Sequence, residues 1–478
     1  MTAFGLADAA TNGHRPADIQ EPAESAPATY VPGGLSAALT ESAALFDASP
    51  VLRHVRRFAA ARGAGELATL GNVLARAALA VPHPVTLPPI VGGPVSLNTL
   101  LVVAGVSGAG KDIAHAAAEA AVVLTRANGA AVRWEPHPVG TGEGIGRTFA
   151  TGQKDPVTGT AATVFHRRSA LFVVRDIAAF DALGERRGQT LVPELLKAAM
   201  GQELGHANAT VEHRVILPPH SYRLALSAGV QPGNGSSLLS ERSIRDGLTQ
   251  RFLWLPVRDG RRREAVREPD PLRIAVPDFG VTSDPLDDDT EPPALVHLDV
   301  AEQIRREIVA VNDEKDLDPF GSSGDPLAGH RLLAQLKAAA ALAVLHGRTG
   351  VDMETWQWGG ALIAISDAVT AEVAARSSEA AARDAAQRGE LDGHRQSAAD
   401  STRESASVEA VAQRIAGFLK TDRWTNEGDI TRKFSAQRRR FIAPALSLLT
   451  ERGEVQEDLY VYKEGRDPIM RYRLQFGV

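Results

Sequence analysis

SLNTLLVVAGVSGAGKD, residues 96–112, decides the reading of this chain. Leu101–Ala104 is a short apolar run ending at Gly105, the pattern of a buried strand. Gly105-Val106-Ser107-Gly108-Ala109-Gly110-Lys111 fits G-x-x-x-x-G-K, and an Ala-rich helical pattern follows from Ile113 to Thr125. A strand, a glycine loop and a helix in that order make a phosphate cradle. Small residues let backbone N–H groups turn inward, the helix N-terminus adds partial positive charge, and the lysine reaches the outer phosphates. Gly105, Ser107, Gly108, Ala109, Gly110, Lys111 and Asp112 are therefore the candidate residues for binding ATP. Lysine occurs at eight positions only, and the other 44 of 52 basic residues are Arg, so a lysine inside this loop stands out. Asp112 stands where the pattern has Ser or Thr, whose hydroxyl holds Mg2+. Its carboxylate either ligates the ion more strongly or repels phosphate.

Outward from the loop, the chain divides by composition. Residues 1–34 are rich in Ala, Pro, Gly and Thr without apolar periodicity, which predicts a disordered tail. Residues 35–91 read as helical: Leu52, Val55, Phe58 and Ala59 share one face, and Leu67, Leu70, Val73, Leu74 and Ala77 another, until Pro82, Pro84, Pro88 and Pro89. Strand-like runs follow at Ala131–Glu135, Ala170–Val174, Val215–Leu217, Leu224–Val230 and Phe252–Val257, with helical stretches between, notably Thr190–Met200. That alternation predicts an α/β core over 92–258. A charged, Pro-rich linker (259–295), a helical unit (296–387), a polar linker or exposed helix (388–407) and a small separate domain (408–478) complete the chain.

The chain has 478 residues, 44% hydrophobic and 23% charged, with net charge −6 and no cysteine. That profile predicts a soluble protein of about three domains and excludes disulfide scaffolds, thiol catalysis, Fe–S clusters and cysteine-based zinc sites. No unbroken apolar run has the ~18 residues of a membrane span, and the N-terminus has no signal-peptide pattern. The expected compartment is the cytoplasm, with no membrane partner.

Phosphate chemistry needs a carboxylate for Mg2+ and a group that orients water. Leu171–Asp176 is an apolar strand ending in an acid. The usual pair is Asp-Glu; here Arg175 takes the first place. Asp176 is thus the metal-side acid shifted by one, the water-orienting acid, or an N-cap for a helix through Phe180. Glu143, in VGTGEGIG, is a second water-orienting candidate or a plain loop carboxylate. Asp181 and Glu194 read as surface residues. Gln231, at the tip of Leu224–Val230, suits a γ-phosphate sensor or a strand-end cap. Arg251 opens an apolar strand and suits either an arginine finger acting on a neighbouring subunit or a structural ion pair, with Arg245 as the alternative finger.

In that order, SLNTLLVVAGVSGAGKD, VGTGEGIG, ALFVVRDIAAFDALGERRGQTL, LALSAGVQPG and GLTQRFLWLP resemble the P-loop proteins carried with primases on actinobacterial plasmids, phages and integrative elements. Those proteins look like relatives of RecA-fold replicative helicases. SPVLRHVRRFAAARGAGELATLGNVLARAALAVPHPVTLPPIVGG is similar to their N-terminal helices, and GHRLLAQLKAAAALAVLHGRTGVDMETWQWGGALIAIS to the helical unit behind their core. The likeness spans about Leu35 to Ala375. It implies Lys111 for phosphate, Asp176 as the Walker B acid, Gln231 as sensor, Arg251 as finger, Glu143 as a water-activating glutamate, a homo-oligomer with a hexamer favoured, and a separate primase. An AAA+ core is the alternative: the helical unit would then be a lid, with Lys337 or Arg331 as its sensor, or else a plain bundle.

The last 71 residues read as three helices and a hairpin, similar to a winged-helix domain. Arg438, Arg439 and Arg440 fall at the expected start of its third helix, with Arg432 and Lys433 nearby. They are the candidate contacts to DNA, single-stranded or origin duplex, or else a solvated basic face. The expected activity is an ATP-dependent, helicase-like DNA motor of a mobile element. The alternatives are an ATP-binding switch or loader with weak hydrolysis, and a DNA-binding regulator whose loop is vestigial.

Overall fold

The computed structural model describes residues 34–154, 161–176, 190–206, 215–234, 238–260, 266–281, 294–315, 330–462 and 467–475. The proposed tail and Asp181 therefore lie outside the described residues, apart from Gly34. The chain divides into two compact units, Met1–Ala380 and Ala381–Val478.

The first unit opens with α1 (Gly34–Asp47), α2 (Pro50–Ala61), α3 (Glu66–Ala80), β1 (Val85–Leu87), β2 (Val95–Ser96) and β3 (Thr99–Ala104). There follow α4 (Lys111–Ala121), β4 (Val122–Thr125), β5 (Pro136–His137), α5 (Gly142–Phe149), β6 (Ala150–Lys154), β7 (Ala161–Phe165) and β8 (Ser169–Val174). Next come α6 (Leu191–Met200), β9 (Leu204–His206), β10 (Val215–Leu217), β11 (Arg223–Val230), α7 (Glu241–Arg245), β12 (Phe252–Pro256) and β13 (Leu272–Ala275). The unit closes with β14 (Val296–His297), β15 (Asp299–Val300), α8 (Glu302–Lys315), α9 (Arg331–Leu345), β16 (Gly350–Val351) and the first part of α10 (Met353–Ala416).

The central sheet has the order β12-β3-β11-β8-β5 with every pair parallel. All eight residues of β11 are buried, as a strand covered on both faces requires. The helix α3 lies on the sheet so closely that a Cβ on Gly71 would sit 2.6 Å from Leu255 Cδ1. At the far end of the sheet, Arg223 is fully buried. Its guanidinium donates to Ser96 Oγ at 2.6 Å, Pro82 O at 2.8 Å and Val85 O at 2.5 Å, and so pins β11 to the chain entering β1.

Several expected boundaries move. The helix after the loop stops at Ala121, because the run Val122–Thr125, three of its four residues β-branched, pairs in parallel with β13. The residues of β13 fall inside the expected linker 259–295. Of the strand expected at Ala131–Glu135, only an isolated bridge from Ala131 to Thr125 forms; the sheet's edge strand is Pro136–His137. The helices before and behind the α/β core are not separate domains. Phe46, Leu70, Leu101, Leu226, Leu342 and Ile363 belong to one continuous hydrophobic core. Glu194, expected on the surface, is buried: it accepts from Lys197 Nζ at 2.8 Å and Gly205 N at 3.1 Å.

Of the two expectations for 388–407, linker or exposed helix, the helix forms: the stretch is continuous within α10, and the helix expected from Val408 is its last part. Part of α10 is apolar enough to cross a membrane by length and composition, with a mean hydropathy of 1.2 over 18 residues. Its Trp356, Leu362, Ile363, Val369 and Val373 are buried in the core of the first unit.

In the second unit, the end of α10 is followed by β17 (Thr425–Asn426), α11 (Glu427–Arg432), α12 (Ala436–Arg439), α13 (Ile442–Glu451), β18 (Val455–Tyr460) and β19 (Ile469–Leu474). The strands form an antiparallel sheet of order β17-β19-β18. Val411, Ile415, Leu419, Ile430, Phe434, Ile442, Leu446, Leu449 and Tyr472 make a core of this unit's own. Pro444 is accommodated because the helix starts at Ile442, which puts the proline in its first turn.

Candidate nucleotide site

Parallel strands bring their C-terminal ends to one edge, and ligands bind there where the strand order reverses. That place is β3: the chain leaves it for the far edge at β5, returns through β8 and β11, and crosses to β12 on its other side. Gly105 follows β3, with its N–H on Val230 O at 2.9 Å. The loop turns through Gly108 at φ +73° and Gly110 at φ +104°, and Gly110 is the N-cap of α4. Both angles are left-handed, which glycine tolerates. Gly105 is fixed by crowding instead: a Cβ there would lie 2.8 Å from Val257 Cγ2. Lys111 starts α4, and its Nζ donates to Gly105 O at 3.0 Å across the loop.

The neighbouring strands deliver the rest. Gln231 leaves the tip of β11, and its Nε2 donates to Asp176 Oδ2 at 2.5 Å. Asp176 lies two residues past the end of β8, a strand two spacings or about 10 Å from β3. Gly229 lets these ends close up: a Cβ there would lie 2.3 Å from Arg175 O and 3.0 Å from Lys111 Cδ. Arg175 turns out toward the loop, and its Nε lies 4.0 Å from Asp112 Oδ1 in an exposed pair. The motif's two departures from the usual pattern thus face each other.

Two contributors were not legible as site residues. Arg258, the last residue of the expected α/β core and given no role there, follows β12, and its Nε donates to Ala109 O at 2.9 Å. Its only local signal is a cation just past an apolar strand; strand order supplies the rest. The second is a polar cluster beneath the loop. Asn72 Oδ1 accepts from Ser227 Oγ at 3.0 Å and lies 3.3 Å from His115 Nδ1, while His115 Nε2 is 3.1 Å from Arg76. Burial, reinforced by the Arg76 charge, lowers the His115 imidazole to about 4, so it is neutral at pH 7.

Other candidates stand elsewhere. Glu143 is exposed in the first turn of α5, behind the N-cap Thr141, one strand beyond Asp176. Arg251 precedes β12 and so lies at the opposite edge from the loop, about 17 Å of strand away. Its guanidinium is half-buried and donates to Gly247 O at 2.6 Å. Arg245 is exposed on α7. Lys337 is not a lid residue over this loop: it is buried at the far edge and donates to Asn98 O at 2.9 Å and to Ala199 O. Arg331 pairs with Asp367 at 2.8 Å on the surface.

In the second unit, Arg438–Arg440 precede the third helix rather than opening it. Arg432 pairs with Asp429 at 2.6 Å, Lys433 Nζ lies over the Phe418 ring, Arg439 Nε donates to Phe434 O at 3.2 Å, and Arg440 stacks on Phe441.

Among the described residues, no cluster of three or more His, Cys, Asp or Glu forms a ready-made metal cage. Mg2+ does not need one, since it is commonly held by one or two carboxylates together with substrate phosphates and water. Asp112, in the first turn of α4, and Asp176, just past β8, are donors of that kind.

No family model matches the chain, and no curated protein matches it. A crystal structure from Cytophaga hutchinsonii, described in its own words as a "putative ATPase", is similar over 68% of this chain and 88% of that one. The identity is 10% and the TM-score 0.28. With so low a score, that likeness carries no argument about this site.

Proposed function

We propose that the first unit binds and hydrolyses ATP and that the protein is a DNA motor of the replicative-helicase kind, serving a mobile genetic element. One observation carries this: a G-x-x-x-x-G-K loop stands between a buried parallel strand and a helix, with Asp176 and Gln231 converging from the next two strands. Loop N–H groups and Lys111 neutralise the phosphates. Asp112 and Asp176 are the residues to hold Mg2+, which when bound offsets charge on the transferring phosphate. Gln231 keeps Asp176 oriented at the γ-phosphate end, and Asp176 or Glu143 orients the attacking water. A ring, with a hexamer favoured, requires an arginine from the next subunit; the exposed Arg245 suits that role better than the inward-turned Arg251.

The second unit is read as a winged helix, on its three short helical segments after α10 and its antiparallel hairpin. Its 408–478 stretch carries 13 Lys and Arg against 10 Asp and Glu in a chain of net charge −6, which supports a role in holding DNA. All five basic candidates are exposed, and Arg432, Lys433, Arg439 and Arg440 each have a local partner. A partner primase and a cytoplasmic location belong to the same reading.

A second reading is favoured by the Asp112–Arg175 pair. It occupies the two positions where a fast hydrolase has a metal-binding hydroxyl and an acid. A switch or loader that binds ATP and turns it over slowly fits that substitution. ATP hydrolysis by the full chain, with and without single-stranded DNA, beside Lys111→Ala, separates the readings. DNA-stimulated turnover abolished by the substitution supports the motor. Lys111-dependent binding without turnover supports the switch, and binding indifferent to Lys111 overturns both.

A further inference from the structure

The hairpin of the second unit shows apolar surface that a folded chain ordinarily covers. Of the ten exposed large hydrophobic side chains among the described residues, five belong to this hairpin: Leu459, Tyr460, Val461, Tyr462 and Ile469. Such a concentration marks a binding surface, where scattered single residues would not. Tyr462 is the most open of them, at 74%.

Strand register sorts the hairpin by face. Gln456 stands opposite Arg473, Asp458 opposite Arg471, and Tyr460 opposite Ile469, so these six share one face. Tyr472, between the two arginines, turns the other way into the unit's core. On the outward face, rings and cations alternate. The Arg473 guanidinium lies 4.4 Å from the Trp424 ring centre. That of Arg471 lies 4.8 Å from the same ring and 4.0 Å from the Tyr460 ring. Tyr460 then meets Tyr462 edge-on, with ring centres 6.5 Å apart. The two guanidiniums are also held from the side. Arg471 Nε donates to Asp458 Oδ2 at 2.7 Å, and Arg473 Nε donates to Gln456 Oε1 at 3.0 Å. Gln456 is neutral, so it leaves the Arg473 charge in place, and a guanidinium has five N–H donors to share.

A ladder of this composition matches one ligand chemistry. Every nucleobase has a flat π face that stacks on an aromatic ring or on a guanidinium plane, and the phosphates beside it accept from cations. In a duplex those faces are hidden in the base stack, so exposed rings select the single strand. A purely apolar protein partner would leave the interleaved arginines without a use.

We propose that the outward face of β17-β19-β18 binds single-stranded nucleic acid, with bases stacked on Tyr460 and Tyr462 and a phosphate held by Arg473. Trp424 and Arg471 support the ladder from beneath and beside. The inference deepens the reading of the second unit as the part that holds DNA, and rests on it. It uses none of the five basic candidates of that reading, and nothing of the phosphate loop.

The test is fluorescence anisotropy of the full chain, without nucleotide, against labelled oligothymidylate, oligouridylate and a blunt DNA duplex. Tyr462→Phe keeps the ring and is expected to bind both single strands as wild type does. Tyr462→Leu keeps apolar bulk without a ring. It is expected to weaken both single strands about tenfold, the value of one stacked base, and to leave the duplex unchanged. Tyr462 is three-quarters exposed, so neither replacement threatens the fold. Arg473→Gln is expected to make the salt dependence of single-strand binding shallower by about 0.7 in log–log slope, one phosphate contact. Single-strand binding that is equal in wild type and Tyr462→Leu overturns the inference. So does equal weakening by Phe and Leu, which would make the hydroxyl and not the ring responsible. A Tyr462→Leu chain that binds strands unchanged but sediments differently assigns the face to a protein contact, and overturns it as well. In each case the basic-face reading stands if Arg438→Ala weakens duplex binding; if that substitution also changes nothing, both readings fall.

Discussion

In the proposed reading, Asp112 is the residue expected to set the rate of ATP turnover. Its carboxylate is three-quarters exposed and 4.0 Å from Arg175. An exposed pair of that kind stabilises the fold by no more than about 1 kcal/mol, so replacing it is a functional test with little structural cost. A hydroxyl at this position ligates Mg2+ without adding negative charge beside the phosphates. Asp112→Thr is therefore expected to raise ATP turnover at least severalfold while leaving binding intact, as read by steady-state phosphate release at saturating ATP and Mg2+. A fall in turnover instead identifies the Asp112 carboxylate as a metal ligand that a hydroxyl does not replace. The glycines at this scale act by absence. Gly229 has ordinary strand geometry, and only the proximity of Arg175 O and Lys111 Cδ shows why no side chain fits there.

The elements are held in register by buried polar side chains as much as by apolar ones. Arg223 is the clearest case: fully buried, its guanidinium lowered by desolvation to about 9, and donating to acceptors on three sides. Arg223→Met keeps volume but leaves those acceptors unpaired, and is expected to destabilise the first unit by about 3–5 kcal/mol, measured by urea unfolding. A loss under 1 kcal/mol contradicts the pinning role. This scale is also where reading the sequence fails and succeeds for physical reasons. The loop was legible because strand, glycines and helix are contiguous, so local pattern carries the whole signal. Arg258 was not, because its neighbourhood depends on β12 lying beside β3, which no local pattern encodes. β4 and β13 were missed for the same reason, since each is defined by a partner about 150 residues away. For 388–407 the sequence left linker and exposed helix both open, because the stretch is polar on every face and has no apolar stripe. Its ion pairs three residues apart, Asp392 with Arg395 and Asp400 with Arg403, were the available clue.

Across the whole molecule, buried histidines set the response to acid. His83 and His115 are both lowered to about 4, chiefly by desolvation, and the imidazoles of His137, His220 and His346 move in the same direction for the same reason. Each binds a proton more readily in the unfolded chain, where the imidazole titrates near 6.5. Their contribution is therefore fully present above pH 6.5 and is lost as pH falls toward 4. Lys337 follows the same rule at higher pH. Its folded value of about 7 against 10.5 unfolded makes stability rise with pH above 7. Between pH 7.5 and pH 5, His83 and His115 are each expected to cost about 2 kcal/mol of stability. All five are in the first unit, as are Trp134, Trp254, Trp356 and Trp358 of the chain's five tryptophans. Urea unfolding followed by tryptophan fluorescence therefore reports mainly on that unit, and its midpoint is expected to fall markedly at pH 5. The second unit has His394 alone among histidines and a core of its own. Its transition, followed by the near-ultraviolet circular dichroism of Tyr460, Tyr462 and Tyr472, is expected to move less. A first-unit midpoint that is unchanged between the two pH values contradicts the neutral burial of His83 and His115.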